Sequence, residues 1–400
     1  MPLDGEPGPG EGAPVPDELL SEVRAIVRDR ELRPVARLRT HRVETPLTGA
    51  DGRTLALVAQ DEVTADAENG QQRWQEIEVE LVDGEAALLE AVESELRGAG
   101  ATRASGSSKL ARALADRLPA SGDETKKIKP VLAYAREQRD ALLEHDPGVR
   151  HGDAESVHKM RVATRRLRST LKTYKRTFGA ETADRLGPEL RWLAQQLGEV
   201  RDGQVLGTKL VSAVQDAGPE FTPVADKVGA HLEAKVAAGR EALATDLNGD
   251  RYFRLLDAVD ELVADPGAAE KSPRRRARKA LDRADLRLDR AMADAVDIEL
   301  HEARKAYKRA RYAVEVFQPS AGKPAKQLVK ALTDLQDVLW AHQDSVVARE
   351  ILRDLARSAD DAFPYGILYA RQEQLGRDTF GELPAAAKGA WKNKLRSWLH

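Results

Sequence analysis

The sequence predicts a mainly α-helical protein: two four-helix bundles related by an internal pseudo-two-fold repeat, preceded by a small antiparallel β region. Three observations predict it. Ala, Leu, Arg and Glu abound while aromatic residues make up 4% of the 400 positions, a composition that favours helices over sandwiches or barrels. After Asp123, helical spacing recurs between breaks at Pro130, Asp146-Pro147-Gly148, Gly187-Pro188, Gly218-Pro219, Asp265-Pro266-Gly267 and Pro319, enough boundaries for about eight or more helices. Sliding the chain by 143 positions lays His158-Lys-Met-Arg-Val-Ala-Thr-Arg-Arg-Leu-Arg168 over His301-Glu-Ala-Arg-Lys-Ala-Tyr-Lys-Arg-Ala-Arg311. Such self-similarity marks a duplicated structural unit.

The elements follow in order. Residues 1–17 are rich in Pro and Gly with almost no apolar periodicity, and we expect a disordered tail. Residues 18–27 have helical spacing. Val35–Val43, Thr54–Val58 and Trp74–Leu81 alternate as strands do, with turn signals at Thr48–Gly52 and Asn69-Gly70. Residues 84–97 return to helical spacing, Gly98–Ser108 reads as a loop, and Lys109 opens a short helix. We therefore expect an α+β region over 18–115, a linker over 116–123 and a helical domain over 124–400, with repeats at about 124–265 and 268–400. A second echo places Leu197-Gly-Glu-Val-Arg-Asp202 opposite Leu339-Trp-Ala-His-Gln-Asp344.

Composition narrows the chemistry. Zero cysteines excludes disulfide scaffolds, thiol catalysis and Cys-ligated metals. No run of apolar residues is long enough for a membrane helix and no signal peptide opens the chain, so a cytoplasmic protein without a membrane partner is expected. The net charge of −3 hides a division: residues 1–100 carry −12 and the rest carry +9. The two portions should prefer different partners.

At about 100° per residue, Met160, Ala163, Leu167, Leu171, Tyr174 and Phe178 share a core-facing stripe. His158, Arg161, Arg165, Arg168, Lys172, Lys175 and Arg176 share a sector beside it. In the second copy Ala303, Ala306, Ala310, Val314 and Phe317 face inward. His301, Arg304, Lys308 and Arg311 form the basic sector, with Lys305 and Tyr312 at its margin. Basic runs on helices are commonly solvated faces. Here, however, eight basic residues and no acid lie between Lys159 and Arg176, so the i,i+4 pairs that stabilise exposed helices are absent. Arg suits phosphate oxygens through its planar fork of donors. Aromatics fall on the apolar sector rather than among the cations, which favours a phosphate polymer without bases over single-stranded nucleic acid. Arg201-Asp202 and Gln343-Asp344 read either as groups that orient the cations or as ordinary interhelical contacts.

Val157-His-Lys-Met-Arg-Val-Ala-Thr-Arg-Arg-Leu-Arg168, with its weaker copy at Leu300-His-Glu-Ala-Arg304, strongly resembles the CHAD domain, the conserved-histidine α-helical domain, over about residues 124–400. The resemblance implies two four-helix bundles with a basic groove that binds inorganic polyphosphate. It implies contacts from His158, Arg161, Arg165, Arg166, Arg168 and Lys172, with Lys175 beside them. In the second copy it implies His301, Arg304, Lys305, Lys308, Arg309 and Arg311, with Tyr312 adjacent. Glu315 faces Lys172 in the repeat, so the second surface is less basic. Residues 20–115 look like the C-terminal half of a CYTH domain, the triphosphate-tunnel fold, through Arg37-Leu-Arg39, Asp61-Glu-Val63, Glu76-Ile-Glu-Val-Glu80 and Ser108-Lys109. That resemblance implies phosphate binding at Arg37, Arg39 and Lys109, and Mg²⁺ or Mn²⁺ at Glu76, Glu78 and Glu80. Alternating Glu on a strand is equally an ordinary wet face. The family's opening Glu-x-Glu-x-Lys strand is absent, and half a barrel exposes strand edges and lacks half its ligands.

Two functions are carried forward. The first is a cytoplasmic polyphosphate-binding module, located with polyphosphate granules, that needs no cofactor and no bond chemistry. The alternative is a metal-dependent triphosphatase or polyphosphatase with the helical domain as its substrate-holding arm. Nucleic acid is the weaker partner, and homo-oligomerisation through exposed strand edges stays open.

Overall fold

The computed structural model describes residues 15–68, 70–104, 108–117, 129–264 and 272–399. Most of the expected tail, most of the linker 116–123, and most of the expected joint between the repeats at 266–273 lie outside the described residues. The chain divides into two compact units, residues 30–127 and a helical unit of residues 16–29 and 128–400. Helix α1 (Asp17–Val27) thus belongs with the helices, and the boundary expected at residue 18 falls after Asp29. The reason is packing. Ala25 is buried in the helical core, and Arg24 lies over the Phe253 ring at 5.1 Å. Arg28, at 2% exposure and φ +62°, sets its guanidinium between Asp257 and Asp260.

In the smaller unit β1 (Ala36–Thr48), β2 (Thr54–Ala67) and β3 (Gly70–Leu81) form an antiparallel sheet in the order β1-β2-β3. The expected turn lies between β1 and β2, with Gly52 at φ +82°, a conformation that suits a residue without Cβ. β2 runs nine residues beyond the alternation read from sequence. Helices α2 (Ala86–Gly98) and α3 (Lys109–Ala113) follow, the latter capped by the Ser108 hydroxyl accepting from the Ala111 amide at 3.1 Å. Val63, Ala65, Trp74 and Ala113 form a small core.

The helical unit contains α4 (Pro130–Arg150), α5 (Ala154–Thr173), α6 (Lys175–Phe178), α7 (Ala180–Gln215), α8 (Thr222–Leu247) and α9 (Asp250–Ala264). It continues with α10 (Pro273–Asp294), α11 (Asp297–Glu315), α12 (Gln318–Ala321), α13 (Lys323–Ala356), α14 (Phe363–Ala390) and α15 (Asn393–Arg396). The shift of 143 carries the first residues of α4, α5, α6 and α7 onto those of α10, α11, α12 and α13. The repeat is therefore structural, helix for helix. α5 packs on α4 and α7, α11 on α10 and α13, and α5 meets α11 across the dyad. One apolar core, including Leu167, Tyr174, Leu193, Leu281, Tyr307 and Leu332, runs through both halves.

Two expected breaks are corrected. Pro147 lies inside α4 and Pro188 inside α7. Near the end of α4, Asp146 is fully buried and accepts from Arg150 Nε at 2.5 Å and from the Tyr252 hydroxyl at 2.8 Å, which ties the turn around Pro147 to the core. α5 starts where the Asp153 carboxylate accepts from the Ser156 amide at 2.7 Å, an N-cap.

Candidate functional site

The basic helices α5 and α11 lie against one another with their apolar stripes inward. Met160, Ala163, Leu167 and Leu171, and in the second copy Ala303, Ala306, Ala310 and Val314, are all buried. This fixes the neighbouring basic sectors side by side. Arg165 Nη2 donates to the Tyr312 hydroxyl at 3.0 Å, and the Tyr174 hydroxyl donates to the Ala313 carbonyl at 2.7 Å.

Under this cleft sits Glu315, 4% exposed. It accepts from the Tyr134 hydroxyl at 2.8 Å and pairs with Arg166 at 3.0 Å and Arg311 at 3.5 Å. Arg166 and Arg311 also lie over the Tyr312 ring at 5.8 and 5.1 Å. Arg166 and Arg311 thus share Glu315 in a buried lock between the halves, although the buried Nε of each makes no hydrogen bond among the described residues. Glu315, read from the repeat as a surface acid that weakens the second copy, is instead the counter-ion of that lock.

Other carboxylates reach the basic sector from different helices, so it is less acid-free than α5 alone suggests. Asp202 on α7 holds Arg161 through two bonds of 2.7 Å, and Asp184 holds Lys175 at 2.7 Å. Within α11 itself, Glu302 pairs with Lys305 three residues on. Gly198 makes the first contact possible, since a Cβ there would stand 3.2 Å from Arg161 Nη2. Gln343 bonds His301 Nδ1 at 2.6 Å and Asp344 bonds Lys209 at 2.8 Å. The aspartate of each echo therefore holds a cation, while Gln343 holds an imidazole whose protonation burial disfavours.

The remaining cations face one another. Among the described residues, Arg165, Arg168, Lys172, Arg304, Lys308 and Arg309 form no ion pair with a carboxylate. Their proton affinities record the crowding. Burial, with Arg165, Arg304 and Arg161 nearby, pushes the Lys308 ammonium down to about 6. Arg309 first and burial second lower Lys172. Burial, Arg191 and Arg309 lower Arg168, and burial and Arg165 lower Arg304. His158 and His301 are both lowered chiefly by burial, with Arg201 adding at the first and Arg304 at the second. The buried Nε atoms of Arg161, Arg201 and Arg304 have no acceptor among the described residues. Buried donors of this kind are costly without a partner.

Sequence reasoning missed contributors on three helices. Arg191 comes from α7, which also carries the Arg201 already read as an orienting group. Trp340 on α13, 38% exposed, carries the Lys308 and Lys209 ammonium groups each 5.5 Å from its ring centre. Arg283 and Arg287 come from α10, whose basic spacing was legible in the sequence. A cavity of about 900 Å³ beside the cleft brings Arg191 and Arg287 together with Arg168, Lys172, Lys305 and Arg309.

A family model described as the CHAD domain matches residues 133–353, more than half of the chain. The chain belongs to the CHAD family. Two Mycobacterium tuberculosis proteins, MT2285 of strain CDC 1551 and Rv2226 of strain H37Rv, are each 37% identical over 413 aligned residues, covering 94% of this chain and 79% of theirs. Among solved structures, PptA from Streptomyces chartreusis aligns with a TM-score of 0.55 at 18% identity, covering 65% of this chain and 98% of its own. That likeness concerns the fold. The CHAD domain from Ricinus communis aligns at 0.46 with 27% identity, over 64% of this chain and 88% of its own. The CHAD region thus coincides with the helices that carry the cleft.

The sheet corrects the expectations placed on the β unit. Register sets Arg42 opposite Asp61 and Asp61 opposite Glu76, so these side chains share one face. Strand alternation puts Arg37 and Arg39 on the other face. They cannot join Lys109 in one site, because Lys109 Nζ lies 2.9 Å from Asp61, 2.6 Å from Glu76 and 2.6 Å from Glu78. Those three acids form the tight carboxylate cluster. Glu80 pairs with Leu57 further along β3 and is replaced in the cluster by Asp61. Arg42 closes the other side through Asp61 at 2.7 Å and through Glu78. Arg42 and Lys109 together hold Asp61 down to about 2, and the three acids hold Lys109 above the usual lysine range despite burial. In this structure the Lys109 ammonium sits among the three carboxylates that could hold a metal ion, so a divalent cation there would compete with it.

Proposed function

We propose that this CHAD protein binds inorganic polyphosphate in the cleft between α5 and α11 by preorganised electrostatics, without bond chemistry. The observation that carries the reading is the set of six basic side chains, drawn from both repeats, that crowd one another with no carboxylate in ion-pair reach among the described residues. A polyanion of closely spaced phosphates relieves that crowding and supplies acceptors for Arg donors. Trp340 gives little support to base stacking, because two ammonium groups already lie over its ring. The enzymatic alternative has less support, since Lys109 closes the acidic cluster it would need. The same reading locates the protein with its ligand in the cytoplasm, at polyphosphate granules. No helix among the described residues is long and apolar enough to cross a membrane.

The test is binding of long-chain polyphosphate by the full chain, with duplex DNA at equal phosphate concentration as competitor. Tight binding that DNA does not displace, with no phosphate released, supports the reading. Combining Arg165→Glu, Arg304→Glu and Arg309→Glu should weaken binding more than ~100-fold, as expected when buried or half-buried ionic contacts are reversed, with helical circular dichroism unchanged. Affinity should fall steeply with salt, by analogy with counterion release from nucleic acids. Equal displacement by DNA, or wild-type affinity in the triple variant, overturns the proposal.

A further inference from the structure

The strongest basic surface outside the paired helices is on α10. Lys279, Arg283, Arg287 and Arg290 are spaced by four, four and three residues, so at ~100° per residue they share one sector. Ala277, Leu281, Ala284, Leu288 and Ala291 take the opposite face and are fully buried. Packing therefore holds the four cations outward. Among the described residues, Lys279, Arg283 and Arg290 have no ion pair, and Arg287 approaches Glu302 only to 3.8 Å. Two nearby acids of α10 are engaged away from this sector, Asp282 with Arg278 at 2.9 Å and Asp285 with Arg396 at 2.5 Å.

A second observation connects this surface to the cleft. A cavity of about 880 Å³ is lined by Lys279, Arg283 and Arg290 and also by Lys172, Arg287 and Arg309. The last three line the 900 Å³ cavity beside the cleft as well. Arg287 and Arg283 help lower Arg309, and Arg287 helps lower Lys172, so the two surfaces are electrostatically continuous.

A third observation gives the surface a direction. The shift of 143 that superposes the halves places Arg136, Asp140, Glu144 and Pro147 of α4 at the positions of Lys279, Arg283, Arg287 and Arg290. Arg136 is occupied by the Val263 carbonyl at 3.1 Å, and the next two positions are acids. The fold is pseudo-symmetric while this charge is not.

We propose that α10 extends the phosphate site into a one-sided track, so that a polyphosphate long enough to leave the cleft is gripped over Arg283, Arg287 and Arg290 on the second half and not over α4 on the first. From Lys279 to Arg290 the track adds roughly 16 Å at ~1.5 Å per residue. The inference rests on the polyphosphate reading and adds chain-length discrimination to it.

The test compares long-chain polyphosphate with tripolyphosphate on the full chain, using wild type and a variant combining Arg283→Gln, Arg287→Gln and Arg290→Gln. The ratio of long-chain to tripolyphosphate affinity should fall about tenfold, the product of three exposed contacts of roughly twofold each. The long-chain salt slope should fall by roughly 2–3, by analogy with duplex DNA. Arg→Lys at the same three positions should restore most of the ratio. An unchanged ratio in the Gln variant, with wild-type binding intact, overturns the track and leaves the cleft reading standing. Failure of wild type to bind either chain removes the cleft reading and the track with it.

Discussion

The β unit and the helical cleft use the same residue types with opposite charge balance. In the sheet, Lys109 meets three carboxylates and Arg42 pairs with two of them. In the cleft, Arg165, Arg168, Lys172, Arg304, Lys308 and Arg309 meet mainly each other. The first arrangement is internally neutralised and raises the proton affinity of its lysine; the second depresses that of Lys308 to about 6. A cluster of charged residues points to a ligand when its own fold leaves the charge uncompensated. The cleft contains both kinds of site, because Glu315 offsets part of the charge of Arg166 and Arg311 beneath the unpaired cations.

The largest effect is expected at that internal lock. Glu315→Gln leaves Arg166 and Arg311 without their buried counter-ion and should cost about 3–5 kcal/mol, read by denaturant unfolding of the full chain. A loss below ~1 kcal/mol, within the range of exposed pairs, would put Glu315 among the surface acids and blur the contrast between lock and cleft. Next in size, Lys109→Met removes the ammonium from Asp61, Glu76 and Glu78 and should cost about 1.5–3 kcal/mol locally, the range for hydrogen bonds to charged groups. It should appear as faster hydrogen exchange along β2. Mn²⁺ should restore protection in this variant by replacing the missing cation. No effect of Mn²⁺ would mean that Arg42 alone suffices.

A smaller effect is expected from pH. Polyphosphate favours the protonated Lys308, so binding takes up protons and should strengthen several-fold from pH 8 to pH 6, bounded by about tenfold per pH unit for each proton taken up. Fold stability should run the other way. Unfolded Lys308 keeps its proton up to its ordinary value near 10.5 and the folded group loses it near 6, so in that window the unfolded chain binds more protons and stability rises with pH. Lys308→Met should flatten both profiles apart from the part due to His158 and His301. Profiles unchanged by this substitution would show that Lys308 is charged throughout. The smallest effect belongs to Gly198→Ala. Helix propensity predicts a gain of up to ~1 kcal/mol, while the added Cβ displaces the Arg161 guanidinium and should weaken binding about twofold, the scale of one exposed ionic contact. Tighter binding would mean that Asp202, rather than α7 packing, sets the position of Arg161.

Much of this architecture was legible in the chain. The 143-residue repeat, the core stripes of α5 and α11 and the three strands all rest on local periodicity, which backbone geometry imposes within a few residues. The breaks at Pro147 and Pro188 were misread because a proline ends a helix only when tertiary packing does not hold its neighbours in place, and Asp146 is held by Arg150 and Tyr252. Placing α1 with the strands failed for a related reason: Arg28 finds Asp257 and Asp260 more than two hundred residues away.

By itself, the sequence determined that the protein is helical and duplicated, that each copy carries a basic sector beside an apolar stripe, and that the copies share the family pattern around His158 and His301. Only the tertiary structure decided which cations keep their charge available. It put Arg37 and Arg39 on the opposite face of the sheet from Lys109, exchanged Glu80 for Asp61, buried Glu315 against Arg166, and left the α10 arginines facing outward. The physical reason is range. Helical and strand periods are fixed by neighbouring residues, whereas neutralisation of a charge depends on side chains brought together from distant points, as the Tyr134–Glu315 contact is across 181 positions.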